Sequence, residues 1–311
     1  MKKALINNTH IEGLLYQHSL EEKVTGPQSK NPGTQYISGN VEIATDDALV
    51  NIVSVHFSYV TPTTAKGTAN ATYAILADII SGRHASIMGD GAEKAAKLRI
   101  DSAIGLNEFF TDRNGKEELV SAKRNEGGFV HVVSGAINPD EKARSTFETD
   151  IVITGVKHID ADPEKDLPEK AVVSGAIFDF RKSLLPVEFT VLNANAIKYF
   201  EGLDASTKTP VFTKVKGRQV SQTIVKKIVE ESAFGDASVR EVPSTRKDFV
   251  ITWAQQTPYT FDDPEYLTAQ ELTEMVAARQ TTIATLKQRN DEYKASKAAQ
   301  ASTPAPGGFN F

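Results

Sequence analysis

The 311-residue chain has no cysteine, so it can form no disulfide, offers no thiolate nucleophile and holds no cysteine-ligated zinc. Long apolar runs are also missing. No window approaches the roughly 18 apolar residues that a membrane span requires. The opening MKKALINNTHIEGLL is interrupted at Asn7, Asn8, Thr9 and His10, which removes the core of a signal peptide and leaves the cytoplasm, or the host cytoplasm for a viral chain, as the expected location. The six histidines, at 10, 18, 56, 84, 131 and 158, never fall at i, i+3 or i, i+4. A zinc site is therefore not expected, and His56 and His131 read as half-buried strand residues. Phosphate-loop, dinucleotide-loop, zinc-protease, nucleophile-elbow and EF-hand signatures are all lacking. Gly89-Asp90-Gly91 reads as a plain turn, and the acids of IDADPEKD and FDDPE read as solvated loop residues. No enzyme activity, metal or cofactor is expected.

What is present is an ordinary globular composition, 40% hydrophobic and 24% charged with 20 Gly and 13 Pro, which excludes wholesale disorder. Thirty-five basic against 40 acidic residues give a net charge of −5, so any nucleic-acid role has to come from local clustering.

Along the chain, residues 1–33 end in TGPQSKNPG and read as an N-terminal arm. TQYISGNVEIAT and LVNIVSVHFSYVTP then read as two strands by their β-branched and aromatic content. Short helices are expected around 70–80 and after Gly89. Strands resume at KLRIDSAIGL, EELVSAKRN and GGFVHVVSGAI, with hairpin turns at Asn114-Gly115 and Glu126-Gly127-Gly128. A soft boundary near Asp160 to Leu167 divides a first β domain, 34–162, from a second β unit, 163–257. VVSGAI occurs twice, at 132–137 and 172–177, with Tyr36 to Val41 as a weaker echo, and hints at a shared Ser-Gly strand kink. Residues 258–300 read as a C-terminal amphipathic helix, with Asp263 before Pro264 as its start and Thr268 with Glu271 as a capping box. Leu272, Val276, Ile283, Leu286 and Tyr293 form its stripe, interrupted by Arg279 and Asn290, and this stripe is expected to dock on the protein's own sheet. Residues 301–311, ASTPAPGGFNF, read as a mobile tail.

The positive functional signal is bases and rings on strands. Lys214, Lys216 and Arg218 are two apart, which puts all three on one strand face with Val215 beneath them. Lys123 and Arg124 precede a Gly-Gly pair and Phe129, and FDFRK sets Phe178 and Phe180 before Arg181 and Lys182. Single-strand binders combine such groups, because every base has a stacking face and every nucleotide a charge. Trp253, the only tryptophan, reads as core.

These residues resemble a bacteriophage single-stranded DNA-binding protein of the OB-fold type. KVKGRQVSQTI is similar to the basic, glycine-marked barrel strand of such proteins, NEGGFVHVVSGAI adds to the likeness, and PAPGGFNF is similar to their partner-recruiting tips. The resemblance implies a mainly β protein of OB-like barrel units with short helices, the C-terminal helix and the tail. It also implies sequence-tolerant binding of single-stranded DNA in replication or recombination without metal or cofactor. The nucleic-acid contacts would be Lys214, Lys216, Arg218, Lys123, Arg124, Phe129, Phe178, Arg181 and Lys182. Phe309 and Phe311 would recruit replication or recombination proteins, although no acidic run precedes Phe311. The body is longer than one OB domain, so it holds either two barrels or one elaborated barrel; two are expected. Two other readings stand beside this one. One is a phage structural or assembly protein whose terminal helix drives homo-oligomers, and the other is a magnesium-dependent nuclease.

Overall fold

The structure is a computed structural model that describes residues 3–113, 115–162, 167–230, 238–263 and 265–301; the side chains within 222–246 and 298–301 lie outside that description. The chain is mainly β, and among the described residues eleven strands form one hydrogen-bonded sheet. That sheet closes on itself twice. β1 (Asn7–His18), β3 (Gln35–Ala44), β4 (Ile52–Val60), β5 (Lys97–Arg113) and β6 (Lys116–Val132) form a ring in the order β1-β3-β4-β6-β5-β1. Every pairing in it is antiparallel except β4 with β6. α1 (Ala71–Ile80) lies between β4 and β5, started by Asn70, whose side chain accepts from the Thr72 amide. The four-residue α2 (Ile87–Asp90) follows, and the short β2 (Glu21–Val24) extends β3 outside the ring.

The second ring repeats this order. β7 (Ser145–Ile159), β8 (Lys170–Phe178), β9 (Leu184–Val191), β10 (Val211–Glu230) and β11 (Ser238–Ala254) pair as β7-β8-β9-β11-β10-β7, again with one parallel contact, β9 with β11. α3 (Ala194–Glu201) occupies the place that α1 has in the first ring. A five-stranded ring closed this way is the OB order. Each ring has its own core. Ile11, Leu15, Val41, Phe57, Leu76 and Ile100 fill the first, and Ile151, Val173, Phe189, Phe200, Val215 and Ile251 the second. Each such side chain contributes about 1.5–3 kcal/mol on full burial.

The rings are joined by strand pairing: Asn7 to Ile11 run antiparallel to Ser145 to Thr149. Polar groups fill this seam. Asn7 Nδ2 donates to the carbonyls of Ile104 and Phe178 at 2.9 and 3.1 Å, and its Oδ1 accepts from the Ile104 amide at 3.0 Å. The Thr9 and Ser102 hydroxyls meet at 2.6 Å. Each ring also sends a hairpin across the seam. Ile104 and Leu106 of β5 pack into the second core. In return, Gln219 and Ser221 of β10 bond Asn51 of the first ring, and the Gln219 side chain accepts from Asn125 at 2.7 Å.

The sequence reading needs correction at several points. The expected arm, 1–33, contains β1, a strand at the centre of the sheet. The boundary near 160–167 falls too late, because Phe147, Ile151 and Ile153 of β7 already belong to the second core. The two VVSGAI copies are not equivalent, since the first ends β6 and enters a loop while the second lies inside β8. The matching pair is Tyr36 to Val41 with Val172 to Ile177, in the second strand of each ring. Gly127 and Gly128 make a bulge inside β6, not a hairpin turn, at φ of 66° and 110°. α4 (Ala269–Ala301) begins six residues after the start expected at Asp263, with the Thr268–Glu271 capping box formed at 3.0 and 3.3 Å. It lies on its own β5–β6 hairpin, through Arg279 and Asn290 on Glu108 and Glu117, while Val276 and Tyr293 of the expected stripe are exposed. Pro264, Asn114 and the tail with Phe309 and Phe311 lie outside the described residues.

Asn7→Ala would leave buried main-chain groups of two strands without partners, so we expect a loss of about 3 kcal/mol of stability in urea unfolding. A loss below about 1 kcal/mol would contradict the role given to this side chain.

Candidate nucleic-acid interface

A cleft of about 2060 Å³ opens across the seam. Its floor is built from β1 (Asn8, His10), β5 (Asp101 to Leu106), β7 (Thr146, Glu148) and β10 (Lys216 to Arg218), so both rings contribute. Four of the aromatic side chains that line it are exposed: Tyr59 at the end of β4, Phe129 on β6, Phe180 after β8 and Trp253 on β11. They are 49%, 70%, 89% and 47% exposed. Large exposed rings gathered in one depression are uncommon on a soluble surface and mark a place where something apolar and flat docks.

Backbone irregularities put two of these rings in the cleft. The Gly127–Gly128 bulge adds a residue to β6 opposite β5, and Phe129 emerges just after it. At Gly128 a Cβ would run into the Asp101 carbonyl and Ser102, so only glycine fits. On β11 strict alternation would put Trp253 on the side of the buried Phe249 and Ile251. The register between β10 and β11 shifts at Lys216/Gly217, leaving Thr252 unpaired, and Trp253 comes to stand opposite Lys216. The Lys216 ammonium lies 5.4 Å from the Trp253 ring centre, and the Arg181 guanidinium 5.0 Å from that of Phe180. A cation over a ring adds attraction without hiding the ring's outer face.

The charges in the cleft are mixed, where the sequence drew attention to the bases alone. Lys142, Arg181, Lys216 and Arg218 line it together with Asp101, Glu126, Asp140, Glu148 and Asp179. Each carboxylate is already engaged. Asp101 meets His10 at 2.8 Å and Arg99 at 3.2 Å, and Glu126 meets Arg124 at 2.9 Å. Glu148 meets Lys214 at 3.5 Å and Lys216 at 3.4 Å. Asp140 and Asp179 accept main-chain N–H groups of the turns they start. Among the described residues, no group of three or more His, Asp or Glu could hold a metal ion.

The structure thus brings Lys216, Arg218, Arg181 and Phe129 together. Lys214 shares their strand face but is half-buried against Glu148 and does not line the cleft. Phe178 borders the cleft but is fully buried, packed with Val152, Phe212 and Leu267; of the two, only Phe180 exposes its ring. The reason is that β8 ends at Phe178 and the chain turns, with the Asp179 side chain accepting from Arg181 and Ser183 and with Lys182 at a φ of 63°. Lys182 is exposed away from the cleft. Arg124 is tied to Glu126 and does not itself line the cleft. Trp253 is expected in the core from the sequence, and Phe180, noted beside Arg181, and Tyr59 are not among the contacts expected there; Gly217 is the mark in the sequence that the Trp253 strand is irregular.

Lys123 sits between the rings of chain, not across the cleft. Its ammonium donates to the Glu188 carbonyl and lies 5.1 and 5.2 Å from the Phe189 and Phe249 ring centres. Burial pushes it down to about 8, against the weaker upward pull of Glu188 and Asp248. A lysine released from the fold titrates near 10.5. Between those two values the unfolded chain binds more protons than the folded one, so stability should rise with pH across that window. The rise should be about 3 kcal/mol at most between pH 8 and 10.5 and absent in Lys123→Met. Parallel pH profiles of the two proteins in urea unfolding would contradict this burial.

A family model described as YorF matches residues 6–289. No curated protein matches the chain. Among solved structures, a deletion mutant of the single-stranded DNA binding protein from Thermus aquaticus is similar at 12% identity, covering 84% of this chain and 98% of that one, with a TM-score of 0.43. The wild-type form of that protein gives 11% identity, coverage of 83% and 96%, and a TM-score of 0.42.

Proposed function

The chain belongs to the YorF family, and from its cleft we propose that it binds single-stranded DNA with little regard to sequence. The observation that carries this reading is the set of four exposed rings interleaved with Lys216, Arg218 and Arg181 in one cleft. Stacking requires bases freed from a duplex, and the faces of all four bases serve equally. Tyr59, Phe129, Phe180 and Trp253 take the bases. Lys216, Arg218, Arg181 and Lys142 take phosphates, and the engaged carboxylates keep the strand off the rest of the floor. Because the floor draws on both barrels, 7–132 and 145–254, the two act as one binding unit. By the resemblance drawn from the sequence, such coating would serve phage DNA replication or recombination, with the tail as the recruiting element.

Trp253 is the only tryptophan, so its fluorescence reports on the cleft directly. Oligo-dT should quench it on titration. Phe129→Ala and Phe180→Ala should each weaken binding by about 1–3 kcal/mol. Lys216→Gln with Arg218→Gln should make the log–log salt slope shallower by about 0.7 per residue. Absence of both quenching and salt dependence would overturn the assignment.

A further inference from the structure

The acidic flank of the β5–β6 hairpin and the helix laid over it play no part in the cleft. Past the cleft's lip at Gly105 and Leu106, β5 carries Glu108 and Asp112, and β6 carries Glu117. α4 answers each of them. Arg279 grips Glu108 through its two terminal guanidinium nitrogens, Nη1 at 2.7 Å. Lys287 and Lys294 reach Glu117 at 2.6 and 2.8 Å, and Lys294 also reaches Asp112 at 3.0 Å. The three cations follow one another about two turns apart, on one helix face.

Apolar packing alone does not explain this docking. α4 meets the core only near its start, where Leu272 and Met275 join Leu267, Phe178 and Phe212. None of its residues from 269 to 297 is buried. A helix kept to complete a core would show a buried apolar stripe throughout; here Arg279, Lys287, Asn290 and Lys294 share that face with Ile283 and Leu286, which are only half-buried. Burial alone would lift the Glu108 carboxyl, but bonds from Arg279 and Ser121 outweigh it and hold the group below its ordinary value.

We propose that α4 is a charge mask: by neutralising Glu108, Asp112 and Glu117 it allows a DNA strand leaving the cleft to continue over the β5–β6 hairpin. The inference rests on the cleft being the strand-binding site. Glu108 lies two residues beyond Leu106, about 7 Å along the strand, which is inside the Debye length of about 8 Å at physiological salt. Unmasked, it would repel a phosphate at the lip. Asp112 lies about 20 Å from Leu106, so only a strand long enough to follow the hairpin meets it.

The test compares oligo-dT of about 8 and about 30 nucleotides, lengths within and beyond the site of one OB barrel. The variant Arg279→Gln/Lys287→Gln/Lys294→Gln should bind the long strand about tenfold more weakly and the short one within about threefold of the parent protein. Adding Glu108→Gln, Asp112→Asn and Glu117→Gln should restore long-strand binding to within about threefold. The three carboxylate substitutions alone should leave it as tight or tighter, which keeps the idea open to refutation even if the cation variant does not fold. An undiminished long-strand affinity would overturn the mask. So would a loss that the carboxylate substitutions fail to restore, since the cations would then be touching phosphates themselves. An equal loss for both lengths would also overturn it, by making the helix a prop for the cleft. If the unaltered protein binds neither strand, the failure belongs to the DNA-binding reading and not to the mask.

Discussion

The pairing of β1 with β7 is the constraint on which the remainder of the molecule depends. Each ring needs its own first strand to close, and those two strands are also hydrogen-bonded to each other. Two barrels are thereby fused into one sheet of eleven strands. A fused seam brings buried polar main chain with it, and side chains that can satisfy such groups hold the inward positions: Asn7 bonds two strands at once, and Thr9 meets Ser102. Unpaired groups there would cost about as much as several apolar contacts supply. The hairpins then lock the joint from both sides, with Lys123 reaching the second ring and Asn51 receiving β10.

The cleft follows from the same joint. Its floor is the seam itself, and its rings come from places where regular pairing is interrupted. An unbroken β6 would have no extra residues to bring out Phe129, and an unbroken β11 would send Trp253 into the core behind Phe249. Glycine makes both interruptions feasible. At Gly217 a side chain would strike the Val250 carbonyl and the Phe147 ring. Local departures from ideal strand geometry thus turn core-facing positions into ligand-facing ones.

This explains which parts of the architecture were legible in the amino-acid order. β3 and β4 announced themselves through β-branched and aromatic residues, the Thr268–Glu271 box marked the start of α4, and the spacing of Lys214, Lys216 and Arg218 placed them on one face over Val215. β1 stayed hidden because its inward positions include Asn7, Thr9 and Gly13, which look like loop residues until the seam gives them partners. The boundary between units was misplaced because β7 lies inside the acid-rich stretch 138–170 and its apolar run was assigned to what preceded it. Phe178 and Phe180 looked alike in sequence, and only the end of β8 between them separates a buried ring from an exposed one. Lys123 and Arg124 looked like a pair, yet one serves the interior and the other an ion pair with Glu126.

Joining two modules by a ladder of main-chain hydrogen bonds has a consequence that a flexible tether would not. Tethered domains have orientational freedom that must be surrendered when both grasp one polymer, and this loss weakens the grip. Here the relative pose is set during folding, so the two halves meet their ligand already aligned, and the distance between footholds on either side of the joint is a fixed property of the native state.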